Sequence, residues 1–98
     1  GTKLSHAGVT LDSSSCKVSA NQKSVELTKN ELRILSLLMQ NAGTVVSRQR
    51  IQEELWQSDE FVDDNTLTVN ISHLRNTLAS IGVEDFVMTR RGLGYVIE

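Results

Sequence analysis

Apolar and polar positions along this chain change rhythm several times, and each change marks an element. From residue 3 to 27, short alternating stretches (Lys3–His6, Val9–Asp12, Lys17–Ala20 and Ser24–Leu27) are separated by small polar residues. Period-two alternation suits half-buried strands, and Gly8, Ser13-Ser14-Ser15 and Asn21-Gln22 supply turns between them. The segment predicts an antiparallel sheet of four strands.

The rhythm then becomes helical. Thr28 can cap a helix, and Glu31 three residues on completes a capping box, with Leu27 and Leu32 at the positions of a hydrophobic staple. Leu32, Leu35, Leu38, Met39 and Ala42 fall on one face at helical spacing, and Asn41 and Gly43 supply the stop. Val45-Val46 is long enough only for a scrap of strand. Ser47 caps a second helix, with Val46 and Ile51 at staple positions, running to Leu55-Trp56. After a polar link over 57–62, Asp63 or Asp64 caps a third helix, where a carboxylate also suits the positive end of the helix dipole. Within it Leu67, Ile71, Leu74, Leu78 and Ile81 recur at steps of four and three as one buried stripe, which Gly82 ends.

The last segment alternates again. Phe86–Thr89 and Tyr95–Ile97 predict a hairpin joined through Arg90-Arg91-Gly92-Leu93-Gly94, where glycine tolerates the positive φ of a tight turn. Sheet, three helices and hairpin make an α+β fold of the winged helix-turn-helix type, the C-terminal hairpin being the wing.

Composition narrows the class. Ninety-eight residues, 39% hydrophobic and 22% charged, suit one domain over 1–98 with a single core. No apolar run approaches the roughly 18 residues of a membrane-spanning helix, and no leader pattern is present. A single cysteine, Cys16, excludes an internal disulfide and a cysteine-rich zinc site, and suits a reducing cytoplasm. Gly1-Thr2 reads as a cloning remnant or a linker end, hence as the start of a fragment. Net charge is −2, which argues against a wholly basic coat and leaves room for a local basic face.

The distribution of charge is more telling than its sum. Residues 65–81 hold one arginine, one histidine, no lysine and no acid, whereas 53–64 hold six acids. Opposite the apolar stripe of the third helix lie Asn65, Val69, Ser72 and Asn76, flanked by Thr66, His73 and Thr77, with Arg75 nearer the edge. Asparagine can pair bidentately with adenine, and valine and threonine methyls can meet the thymine methyl in the major groove. Arg90 and Arg91 at the hairpin tip suit a narrow, electronegative minor groove. Lys29, Arg48, Arg50 and Arg75 are candidates for phosphate contact, as are the free N–H groups at the helix starts near 28–31 and 47–50. The bland alternatives are a solvated helix face and an ordinary charged turn; for the acids of 53–64 they are a helix end and a solvated loop, set against a docking surface for a basic protein.

Catalytic signatures are missing. Cys16 is far in sequence from His6 and His73, neither histidine has the clustered partners of a triad or metal site, and Gly92-Leu93-Gly94 precedes a strand rather than a helix. No enzymatic activity and no cofactor are expected.

Taken together, L-T-K-N-E-L-R-I-L at 27–35, V-S-R-Q-R-I at 46–51, Trp56, D-N-T-L-T-V-N-I-S-H-L-R at 64–75 and T-R-R-G-L-G-Y at 89–95 resemble the OmpR/PhoB-type effector domain of bacterial response regulators. The stretch F-V-D-D-N-T-L-T-V-N-I at 61–71 is most similar to the BceR-, GraR- and NsrR-like branch, which answers bacitracin, lantibiotics and other cell-envelope peptides. The resemblance implies a preceding receiver domain, a cognate membrane histidine kinase, phosphorylation-dependent homodimers and head-to-tail binding to a tandem direct repeat of double-stranded DNA. It also implies base or phosphate contacts at Asn65, Thr66, Val69, Asn70, Ser72, His73 and Arg75, wing contacts at Thr89 and Arg91, and approach of Trp56 to the backbone. Gln57, Ser58, Asp59 and Glu60 fall where relatives contact RNA polymerase. Many relatives carry Arg-Arg in place of Ser72-His73 and a basic residue in place of Asn65, so their base reading does not transfer. The remaining reading from another class is a winged-helix protein-interaction module that touches no DNA.

Overall fold

The computed structural model describes residues 3–56 and 63–98. The chain runs β1 (Lys3–His6), β2 (Val9–Asp12), β3 (Lys17–Ala20), β4 (Lys23–Glu26), α1 (Lys29–Gln40), β5 (Val46–Ser47), α2 (Arg48–Trp56), α3 (Asp64–Ala79), β6 (Met88–Arg90) and β7 (Gly94–Val96). The expected sheet forms as a meander, β1-β2-β3-β4, every pair antiparallel. Its inward positions, Val9, Leu11, Val18 and Ala20, are buried. Asn21 and Gln22, at φ +53° and +64°, close the β3–β4 hairpin as a two-residue loop with both centres left-handed, the geometry that matches strand twist. Because Lys23 is already paired with Ala20, β4 starts and ends one residue earlier than its alternation suggests.

The capping box of α1 is complete. The Glu31 N–H donates to Thr28 Oγ1 at 3.2 Å, and the Thr28 N–H donates to Glu31 Oε1 at 2.9 Å. The buried face of α1 is broader than its staple-based stripe, taking in Ile34 and Leu37 beside Leu35, Leu38 and Met39, while Leu32 and Ala42 are only half-buried. The reason is position: α1 packs against β1, α2 and α3 and therefore presents more than one face to the core.

The α3 stripe is where the sequence places it. Leu67, Ile71, Leu74, Leu78 and Ile81 are each no more than 3% exposed, and burying such a side chain contributes about 1.5–3 kcal/mol. Asp63 is the cap, its Oδ1 accepting the Thr66 N–H at 2.7 Å. At the other end the Gly82 N–H donates to Ala79 O and the Val83 N–H to Leu78 O, both at 3.0 Å. These paired bonds are a Schellman closure, and Gly82 at φ +81° takes its left-handed position.

The C-terminal hairpin is narrower than expected and has a third strand. Its strands are Met88–Arg90 and Gly94–Val96, and β5 joins them in the order β5-β7-β6. Val46 pairs with Tyr95 and Ser47 with Gly94, so the scrap of strand before α2 anchors the wing. A Cβ at Gly94 would stand 2.0 Å from Val46 O; only glycine lets the two backbones come this close.

Candidate nucleic-acid interface

The outer face of α3 is built by the burial of its inner one. With the stripe in the core, Asn65, Thr66, Val69, Ser72, His73 and Asn76 stand exposed. Val69 is 45% exposed, a large apolar side chain held in solvent among polar neighbours. One position differs from the sequence reading. Thr77 is half-buried and donates through Oγ1 to Glu31 Oε2 at 2.7 Å, which takes it off the outer face and ties α3 to the start of α1. Asn70 is also half-buried; its Nδ2 donates to Thr66 O one turn back at 2.9 Å. The Glu31 carboxylate, itself buried, thus serves one helix cap and one helix–helix link.

The wing stands beside this face. Arg91 is exposed at the tip, whereas Arg90 is half-buried and reaches back to Glu98, Nη2 to Oε1 at 2.8 Å. Of the two arginines expected at the tip, Arg91 therefore carries the available charge. Leu93, next to it, is 64% exposed. In the sequence Leu93 reads only as part of the turn, its one signal being an apolar residue between two glycines of a hairpin.

Between helix and wing lies a cluster that no periodicity reveals. Tyr95 is buried on β7, and the guanidinium carbons of Arg48 and Arg75 lie 5.6 and 5.8 Å from its ring centroid. Arg75 donates through Nε to Val87 O at 3.0 Å and through Nη2 to Thr89 Oγ1 at 2.7 Å. Arg48 is turned toward α3 and Tyr95 rather than held out for phosphate; Asp64 beside it holds its guanidinium above the ordinary arginine value. Arg50 remains largely exposed, 3.9 Å from Glu54. Its backbone N–H donates to Ser47 Oγ, the expected cap of α2.

Trp56, at the end of α2, is 42% exposed. Gln57, Ser58, Asp59 and Glu60 lie outside the described residues. Cys16 is a half-buried free thiol, and His6 faces the Glu98 carbonyl, Nε2 to O at 2.7 Å. Among the described residues, no group of three or more His, Cys, Asp or Glu side chains is placed to hold a metal ion, and no helix is long and apolar enough to cross a membrane.

Residues 21–97 match the family described as transcriptional regulatory protein, C terminal. The sensory transduction protein BceR of Bacillus subtilis is 40% identical over 89 residues, 91% of this chain and 38% of BceR. The response regulator protein GraR of Staphylococcus epidermidis is 36% identical over 93 residues, 95% of this chain and 42% of GraR. The chain thus spans 38% to 42% of the length of these curated relatives. Among solved structures, the C-terminal domain of the nisin resistance regulator NsrR, a lantibiotic response regulator, is similar with a TM-score of 0.83 at 39% identity, covering 96% of this chain and 95% of that one. The DNA-binding domain of AdeR, solved with an intercistronic region, shares the fold, with a TM-score of 0.82 at 22% identity over 96% of this chain and 97% of that one. A winged helix-turn-helix preceded by a four-stranded sheet, with sequence matched from the last strand of that sheet to the last strand of the wing, is a member of a family of transcription-factor domains rather than enzymes: the chain belongs to the OmpR/PhoB-type DNA-binding effector domains of response regulators, alongside BceR, GraR and NsrR.

Proposed function

We propose that residues 1–98 form one effector domain, the output module of a longer response regulator that controls genes for resistance to cell-envelope-directed peptides. In this reading α3 lies in the major groove of double-stranded DNA, with Asn65, Thr66, Val69, Asn70, Ser72 and His73 toward bases or phosphates. Thr89, Arg91 and, through its link to Thr89, Arg75 belong to the wing side, with Arg90 behind them. Trp56 approaches the backbone from the end of α2. The observation that carries the reading is the outer face of α3: short, uncharged or histidine side chains and an exposed valine, without lysine or acid, beside an exposed wing arginine. Ordinary solvated helices are rich in Lys and Glu.

The rest of the protein follows the resemblance. A receiver domain, phosphorylated by a membrane histidine kinase in the cytoplasm, brings two copies together on a tandem direct repeat, and Gln57, Ser58, Asp59 and Glu60 face RNA polymerase. Size supports side-by-side placement, since the long dimension of the domain is 34 Å, about one helical turn of duplex. The peptides named for the relatives, nisin and lantibiotics in the case of NsrR, support the resistance assignment.

Genome-wide footprinting of the intact phosphorylated protein tests this. The expected result is protection of paired half-sites in the same orientation, about 10–11 bp apart, upstream of envelope-resistance genes. Absence of any protected site favours the protein-interaction reading, for which the net charge of −2 is the supporting observation.

A further inference from the structure

Arg48 lies behind the interface, yet it holds both of its working parts. Its Nε donates to Asp64 Oδ1 at 2.7 Å, and Nη2 donates to Asp64 O at 2.9 Å and Thr68 Oγ1 at 2.8 Å, all on the first turns of α3. Its Nη1 donates to Tyr95 Oη. Four of the five N–H donors of a guanidinium are thereby engaged, leaving little for a phosphate. Tyr95 belongs to β7, the strand between β5 and β6, and is paired directly with Thr89 of the wing. Its ring carries Arg48 within 5.6 Å and, from the middle of α3, Arg75 within 5.8 Å. Arg75 then closes the circuit onto Val87 O and Thr89 Oγ1. Helix and wing are therefore joined through Tyr95 and two guanidinium groups, whose several fixed N–H donors a lysine cannot reproduce.

We infer that Arg48 is a positioning residue for DNA binding: through Asp64, Thr68 and Tyr95 it fixes the angle between α3 and the β6–β7 wing, so that both meet neighbouring grooves of one duplex together. The inference rests on the DNA reading above. Its physical basis is preorganisation. The duplex sets the separation between a major groove and the flanking minor groove, so a wing that swings freely loses ordering entropy on binding and with it the benefit of its tip contact. Arg48 and Arg91 then act as a unit although they lie on different elements, Arg48 at the start of α2 and Arg91 at the wing tip.

A double-mutant cycle measures this directly. The unaltered chain, Arg91→Ala, Arg48→Gln and the double variant are titrated at fixed salt with duplex carrying the footprinted repeat, and each is melted. Arg91→Ala is expected to weaken the unaltered chain on the order of tenfold, and the Arg48→Gln chain by about twofold or less, the mark of coupling between groups that do not touch. Arg48→Lys is expected not to restore the coupling. Where Arg48→Gln melts early, Tyr95→Phe, which removes only Oη, takes its place and is expected to reduce the coupling in part. Equal losses from Arg91→Ala in both folded backgrounds overturn the inference and leave the DNA reading standing. No loss in either background removes the wing from the DNA reading, and the inference with it. A second measurement needs no DNA. In a Cys16→Ser chain spin-labelled through Ser72→Cys and Leu93→Cys, the inter-label distance distribution is expected to broaden on Arg48→Gln, and an unchanged distribution overturns the inference.

Discussion

Val69 and Ile71 are two residues apart on α3 and face opposite worlds, one 45% exposed and the other 1% exposed. The valine has no core to join, and in the proposed reading a thymine methyl gives its apolar surface a partner. Val69→Ala is expected to cost a few tenths to about 1 kcal/mol of discrimination at one A·T pair and little stability. Ile71→Ala is expected to cost about 2–5 kcal/mol of folding stability, because a methyl-lined cavity replaces a packed side chain. Melting curves and binding over single-base variants of the site check both. Reversed outcomes mean that the reading face is on another side of the helix. This much was legible from a 3.6-residue period. The engagements of Arg48, Arg75 and Arg90 were not, since a guanidinium reaches several ångströms and its partner is chosen by elements distant in sequence.

At the scale of elements, helix starts were the most readable feature. A cap is local chemistry, an acceptor within three residues of the N–H it satisfies, and Thr28, Ser47 and Asp63 all perform as their spacing suggests. Asp63 also carries a pH dependence. The Thr66 N–H bonded to its carboxylate holds Asp63 below the ordinary carboxylate value. A lowered folded value means that the cap's contribution is complete above the unfolded value, roughly pH 4, and is lost as pH falls through the folded one. Urea midpoints of the unaltered chain and Asp63→Ala, compared from pH 6 to 2, are expected to differ by a constant amount above about pH 5 and to converge below about pH 4. A gap that does not narrow at all as pH falls from about 4 to about 2 would show that the charged form of Asp63 is not what holds the cap. Strand boundaries were less readable. β4 and both wing strands shift by one or two residues, because pairing register follows turn geometry and neighbouring strands rather than alternation alone.

For the whole molecule, charge placement outweighs net charge. An acidic domain that binds a polyanion must do so through few contacts and through backbone N–H groups that carry no formal charge. Binding of a single domain to duplex is therefore expected to show a shallow dependence of log K on log salt, with a slope on the order of −3 to −5, measured by fluorescence anisotropy from about 50 to about 300 mM salt, over which the Debye length shortens from about 14 to about 6 Å. A slope near zero would point to a protein partner instead. In the proposed reading, weak single-domain affinity would place the burden on pairing, since linking two modules raises the effective concentration of the second at its half-site.

The sequence by itself determined the order of the elements, their caps, the buried stripe of α3 and, with it, which face of that helix is left over for a partner. All of these follow from periodicity and from bonds that span three or four residues. Tertiary structure alone decided that β5 joins the wing, that a buried glutamate links α1 to α3, and which arginines are left free. Those outcomes depend on groups brought together across the chain, where Tyr95, forty-seven residues from Arg48, becomes its hydrogen-bond partner and turns a candidate phosphate ligand inward between helix and wing.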